Sequence, residues 1–265
     1  MPQATVNGRQ IAYGDTRGDG VPVLLVHAFP FNSTMWQPQV DALGSRYRLI
    51  TPDLTGFGGS DAPEDRSAYS MDAWADLLAG LLDELGIDKV VLAGLSMGGY
   101  MAFAFLRRHR RRVSALILAD TRAEADPPEG VEKRTTQQGL IEREGTSGLI
   151  EGMVGALLSE STRTNKLDVV DQARKAMDNP AAGFIGGLEA MKGRPDSSDE
   201  LASIDVPTLV IVGENDAVTP PDAARKIHEH VGGSRLVTIP EAGHISNLES
   251  PEAFNGALAE FLGSL

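Results

Sequence analysis

The chain contains no cysteine. That excludes disulfides, a thiol nucleophile and any metal centre built on thiolates. It is also short of positive charge: 24 Lys and Arg stand against 37 Asp and Glu, for a net charge of −13. A surface that neutralises phosphates must be basic, so this balance argues against a nucleic-acid partner. No apolar run is long enough to span a bilayer. The opening Met1-Pro2-Gln3-Ala4-Thr5 lacks a basic stretch followed by an apolar one, so no signal peptide is expected and cytoplasmic residence is the default. There is no internal repeat and no low-complexity segment. The basic run Arg107–Arg112 falls at the end of a helical pattern, where cations offset the helix dipole, and is read as that.

What is present is an alternation of short β-like runs with longer helical patterns. Asn7-Gly8 between two short runs predicts a hairpin. Val21–His27, Lys89–Ala93, Val113–Ala119 and Val206–Val212 are near-continuous apolar runs, as in strands buried on both faces. Arg48–Pro52 and Leu236–Ile239 are weaker strands. Helical spacing covers Met71–Leu85, Tyr100–Leu106, Pro221–Val231 and Pro251–Leu262. This alternation predicts an α/β fold, with a mostly parallel central sheet and helices on both faces. Residues 121–203 break the rhythm. They look helical throughout and are read as an inserted helical cap, leaving 1–120 and 204–265 as the core.

Gly94-Leu95-Ser96-Met97-Gly98 lies between a buried strand and a helix. A serine between glycines at such a turn fits a nucleophile elbow, in which a strained backbone holds the hydroxyl above the sheet edge. A serine hydroxyl needs a base, normally a histidine oriented by a carboxylate. His244 follows the last predicted strand, and Asp216 follows the one before it. The chain order Ser96, Asp216, His244 suits this elbow. Asp120, at the end of Val113–Ala119, is a rival acid. The N–H groups of Met97 and Phe29 are expected to form the oxyanion hole. Pro30 has no N–H to give. Val218 and Ile245, beside the acid and the base, are candidates for the substrate pocket. Leu149, Met153, Phe184 and Leu188 of the cap either line that pocket or pack the cap on itself. His27 is read as structural, bonded to the loop that positions Phe29. His228 and His230, two apart on a helix, do not share a face, so no metal site is expected. Gly56-Phe57-Gly58-Gly59-Ser60 does not open into a helix and is read as a structural loop rather than a phosphate cradle.

These segments together resemble the α/β-hydrolase superfamily, of the serine esterase and lactonase type with a helical cap. The resemblance rests on His27-Ala28-Phe29-Pro30, Asp53–Ser60, Gly94–Gly99, Gly213–Asp216 and Gly243-His244, and spans nearly the whole chain. Ala28 stands where the family often has glycine. The resemblance implies a cofactor-free serine hydrolase acting on small to medium carboxylic esters through an acyl-enzyme, with a small-molecule ester as its partner. It equally accommodates a lactonase of the 3-oxoadipate enol-lactonase type or a carbon–carbon bond hydrolase using the same three residues. Epoxide hydrolysis and dehalogenation fit less well, because those relatives carry aspartate where Ser96 stands. A ligand sensor built on the same fold is the alternative from another class. A dianionic substrate would need a cationic pocket residue, and the sequence singles none out.

Overall fold

Asn7 and Gly8 both take positive φ (52° and 78°), the geometry of the tight turn that joins two antiparallel strands. A computed structural model describes residues 1–265 and begins with this hairpin. β1 is Gln3–Val6, β2 Arg9–Asp15 and β3 Pro22–Val26. α1 (Gln37–Leu43), β4 (Arg48–Pro52), α2 (Met71–Glu84), β5 (Val90–Leu95), α3 (Met97–His109) and β6 (Val113–Ala119) follow. Five helices come next without a strand: α4 (Pro128–Glu144), α5 (Ser147–Leu157), α6 (Glu160–Asn165), α7 (Leu167–Ala176) and α8 (Ala181–Lys192). The chain ends with β7 (Thr208–Gly213), α9 (Pro221–His230), β8 (Arg235–Ile239), α10 (Ser246–Glu249) and α11 (Pro251–Leu262).

The eight strands form one sheet in the order β1-β2-β4-β3-β5-β6-β7-β8. Every pairing from β4 to β8 is parallel, and β2 alone is reversed, running antiparallel to both its neighbours, β1 and β4. The continuous apolar runs are explained by the two faces. Along β3, β5, β6 and β7 alternate residues enter different clusters: Leu24, Leu92, Leu116 and Val210 enter one, and Leu25, Ala93, Ile117 and Leu209 the other. α2, α3 and α9 cover the first face, while α1 and α11 cover the second. With neither face solvated, no polar alternation is tolerated.

The helices between β6 and β7 lie over the carboxyl ends of the strands. α8 makes the tightest contact. A Cβ on Gly183 would fall 1.8 Å from the Gly56 carbonyl oxygen, one on Gly186 would strike the Tyr69 ring, and one on Gly187 would meet Phe29. Three glycines therefore let a helix backbone lie directly on two core loops. Phe184 and Leu188 of the same helix are fully buried in the main apolar cluster. The Arg107–Arg112 run is also accounted for: Arg107 pairs with Glu200, Arg108 with Asp76, Arg110 with Asp205 and Arg112 with Asp83.

Candidate active site

β5 delivers Ser96 to the sheet edge, and α3 starts at the next residue. Ser96 sits at φ 54°, ψ −111°, a conformation that L-residues rarely adopt. The glycines on either side make this turn possible. A Cβ on Gly94 would lie 2.2 Å from the Gly98 carbonyl oxygen, and one on Gly98 would lie 2.3 Å from the Val26 carbonyl oxygen. The backbone of the turn is fixed by Ser96 N–H donating to Ala119 O (2.9 Å) and by Thr121 Oγ1 donating to Ser96 O (2.9 Å).

Ser96 Oγ is 2.8 Å from His244 Nε2, and His244 Nδ1 is 2.8 Å from Asp216 Oδ2. All three residues are buried. Burial pushes the Asp216 carboxyl up, but the His244 charge and the bonds from His244 and Thr219 outweigh it and hold it below the usual range. An ionised carboxylate only accepts, so the imidazole proton lies on Nδ1, and Nε2 is left to accept from the serine hydroxyl. The second carboxylate oxygen is occupied by the N–H groups of Val218 (2.8 Å) and Thr219 (2.9 Å). Thr219 Oγ1 also donates to Oδ2 at 2.7 Å. Asp216 is thus held from the loop that follows it, a role for Thr219 that its sequence position does not announce. A hydroxyl, imidazole and carboxylate joined in this way can deprotonate the hydroxyl as it attacks and stabilise the imidazolium that results.

The N–H of Met97 heads α3 and has no acceptor within the helix. Neither it nor the N–H of Phe29 donates to another protein group. The Phe29 loop is anchored from several sides. His27 is fully buried, and burial lowers its pKa against the pull of the Ala28 carbonyl and Asp53. As a neutral ring it bonds Ala28 O through Nδ1 (3.0 Å) and accepts from Leu54 N–H at Nε2 (3.1 Å). Asn179, from the turn between α7 and α8, donates to Pro30 O (2.8 Å) and accepts from Gly58 N–H (2.7 Å). It ties the Phe29 loop to the Gly56–Ser60 loop. Asp53 completes that second loop by accepting from Ser33 and Gly59 N–H groups.

Two further buried acids stand close by. Asp120 does not reach His244. Its Oδ1 accepts from Gly213 N–H (2.7 Å) and its Oδ2 lies 2.5 Å from Ser246 Oγ. Burial, then the charge of Asp216, push Asp120 well above the usual carboxylate range, against the bonds from Ser246 and Gly213. Glu249 is 1% exposed. It accepts from Gly243 N–H at Oε1 and from Ser159 N–H at Oε2, both at 2.9 Å. His244 N–H itself donates to Leu157 O at 2.8 Å. The histidine loop is therefore tied directly to the end of α5 through His244 and, by way of Glu249, to Ser159 between α5 and α6.

Val218, whose N–H bonds Asp216, and Phe29 line a slot of about 220 Å³ in whose lining Ser96, His244 and Asp216 do not take part. Met153 and Leu157 of α5 and Lys133 and Arg134 of α4 also line it. Ile245 is fully buried in the second apolar cluster and lies outside the slot lining. Of the four apolar cap residues, Met153 reaches the slot, while Leu149, Phe184 and Leu188 pack into the core. His228 and His230 bond Ser234 and the Lys226 carbonyl respectively and do not converge.

A parallel sheet carrying a serine at a strand-to-helix elbow, with acid and histidine on the loops after its last two strands, defines a class of hydrolytic enzyme. The alpha/beta hydrolase family model matches residues 23–257, and the chain belongs to that family of hydrolases. A thermophilic esterase from Thermogutta terrifontis, solved with malate bound, is similar at a TM-score of 0.94 and 41% identity, over 99% of this chain and 98% of its own. The chain is 30% identical to 3-oxoadipate enol-lactonase 1 of Acinetobacter baylyi, over 87% of this chain and 84% of that protein. It is 31% identical to the 2-hydroxy-6-oxononadienedioate/2-hydroxy-6-oxononatrienedioate hydrolase of Klebsiella pneumoniae, over 92% and 88%.

Proposed function

We propose that the protein is a serine hydrolase of small to medium carboxylic esters, working through an acyl-enzyme. The observation that carries this reading is the continuous chain Ser96 Oγ, His244, Asp216, with both links at 2.8 Å. Ser96 Oγ attacks the acyl carbon while His244 Nε2 takes its proton. The N–H groups of Phe29 and Met97 receive the oxyanion, each worth on the order of 3 kcal/mol to the transition state. His244 then protonates the departing alcohol, which leaves the acyl group on Ser96. Water gives its proton to the same imidazole, attacks the acyl carbon and releases the acid, and Ser96 recovers its proton. Asp216 keeps the tautomer and offsets the imidazolium charge. Residues 121–203 act as a helical cap on a core of 1–120 and 204–265, and Val218 and Met153 meet the substrate in the slot.

The test is turnover of p-nitrophenyl esters of increasing chain length. Ser96→Ala is expected to abolish it, and a serine-reactive phosphonate to label Ser96 alone. Full activity in Ser96→Ala refutes the reading. Repeated turnover separates an enzyme from a ligand sensor, which would release at most one equivalent of p-nitrophenol. A lactone substrate is a second reading, supported by the likeness to 3-oxoadipate enol-lactonase 1.

A further inference from the structure

The slot lined by Phe29 and Val218 has charge of one sign. Lys133, Arg134 and Gln137 occupy one face of α4 at helical spacing and line it, opposite the apolar Met153 and Leu157. No carboxylate lines it, and Glu129 and Glu132 of the same helix do not reach it. Arg134 pairs with Asp126, but Arg194 pairs with the same carboxylate at 2.8 Å. Two guanidinium groups share one anion, so a full positive charge is left over. The exposed amino group of Lys133, like those of Lys89 and Lys175, makes no ion pair or hydrogen bond within the chain, and of these three only Lys133 lines the slot. In a protein of net charge −13, an unpaired Lys133 next to an Arg134 that shares its anion makes a local positive potential. Lys133 also lines an adjoining open groove of about 660 Å³, which shares Ala156 and Val218 with the slot. It therefore stands at the lip, where a substrate's far end would emerge.

We propose that Lys133 is a specificity-determining residue, and that the site takes esters or lactones with a carboxylate remote from the scissile carbonyl. The apolar wall holds the chain between the two groups, and the ammonium meets the carboxylate at the lip. This rests on the hydrolase reading above and adds the substrate class to it.

Two matched substrate pairs test it. Mono-p-nitrophenyl glutarate against p-nitrophenyl valerate places the charge on the acyl arm, and 4-acetoxybutyrate against butyl acetate places it on the alcohol arm. In at least one pair the wild type is expected to have the lower KM for the charged member. In Lys133→Met, which keeps the stem and loses the charge, kcat/KM for that member is expected to fall about fivefold, mainly through KM. The ratio of kcat/KM between the charged and the neutral member is the readout, and it should shrink by a similar factor. Lys133→Arg restores the preference, and added salt shrinks it. Equal loss on both members, no loss on either, or no wild-type preference in either pair overturns the proposal. Ser96→Ala with undiminished turnover of all four substrates fails the hydrolase reading instead, so the two failures are distinguishable.

Discussion

Removing the Glu249 carboxylate should loosen the histidine loop and the helical insertion together. Its two oxygens are the acceptors for the N–H groups of Gly243 and Ser159, which lie 84 residues apart in the chain (243 − 159). Each bond involves a charged acceptor and is worth about 1.5–3 kcal/mol. In Glu249→Ala both buried donors lose their partner. Part of that loss is offset because a carboxylate no longer has to be held away from water, so a net destabilisation of about 3–5 kcal/mol is expected. Glu249→Gln keeps one carbonyl oxygen but turns its amide NH₂ toward the other donor, and should recover about half of the loss. Urea unfolding followed by the fluorescence of the buried Trp36 and Trp74 measures the stability. Steady-state kinetics at a temperature where every variant is folded measures the site. There kcat should drop about tenfold or more in Glu249→Ala with little change in KM, because His244 is displaced rather than the slot. A stability change below about 1 kcal/mol, or a Gln variant no better than Ala, refutes the reasoning.

Other consequences follow from the same geometry. Asp216→Asn should leave the fold intact and lower kcat by about 10³–10⁴, since the imidazole tautomer is no longer enforced; an equal loss in Asp120→Asn with near-normal Asp216→Asn would reassign the acid. The folded-state pKa of Asp216 is depressed, so its contribution to stability is present above the unfolded value of 3.8 and is lost as pH falls through the lower folded value; an acid titration of stability should be shallower in Asp216→Asn. Asp120 has the opposite sign: its raised pKa makes the folded state bind an extra proton, so stability falls as pH rises from 3.8 toward the folded value. Asp120→Asn keeps the Gly213 and Ser246 bonds and should flatten that decline, and parallel stability–pH curves for the two proteins would contradict this. Gly98→Ala places a Cβ 2.3 Å from the Val26 carbonyl oxygen. It should cost about 1–3 kcal/mol in thermal or urea unfolding, with a larger relative loss of activity because the Met97 N–H moves with α3.

The sheet and the positions of Ser96, Asp216 and His244 at strand ends are legible because they leave local marks. Apolar runs such as Leu92-Ala93 mark a strand covered on both faces, and Gly94 and Gly98 mark a turn with no room for side chains. The short helices α1 and α10 have no such mark, since seven and four residues are too few to show a period. Glu249 and Asn179 are invisible for a different reason. Their partners are backbone groups far along the chain, Ser159 N–H and Pro30 O, and a backbone group has no sequence identity. Lys133 lies on a helical face that can be drawn from its spacing, but which way that face turns is decided by how α4 and α5 dock. Ile245 shows the limit of reasoning from adjacency: it follows His244, yet α10 begins at the next residue and the backbone turns its side chain into the core.

The contact between α8 and the core loops sets how this family member can diversify. With Gly183 on Gly56, Gly186 on Tyr69 and Gly187 on Phe29, the roof over the Phe29 loop has a fixed height, because any side chain added there meets backbone or an aromatic ring. α8 is thus a rigid ceiling rather than a flap. On the proposed reading, new substrate preferences are written on the residues that α4 and α5 supply to the slot, where a change of side chain leaves the α8 contact undisturbed.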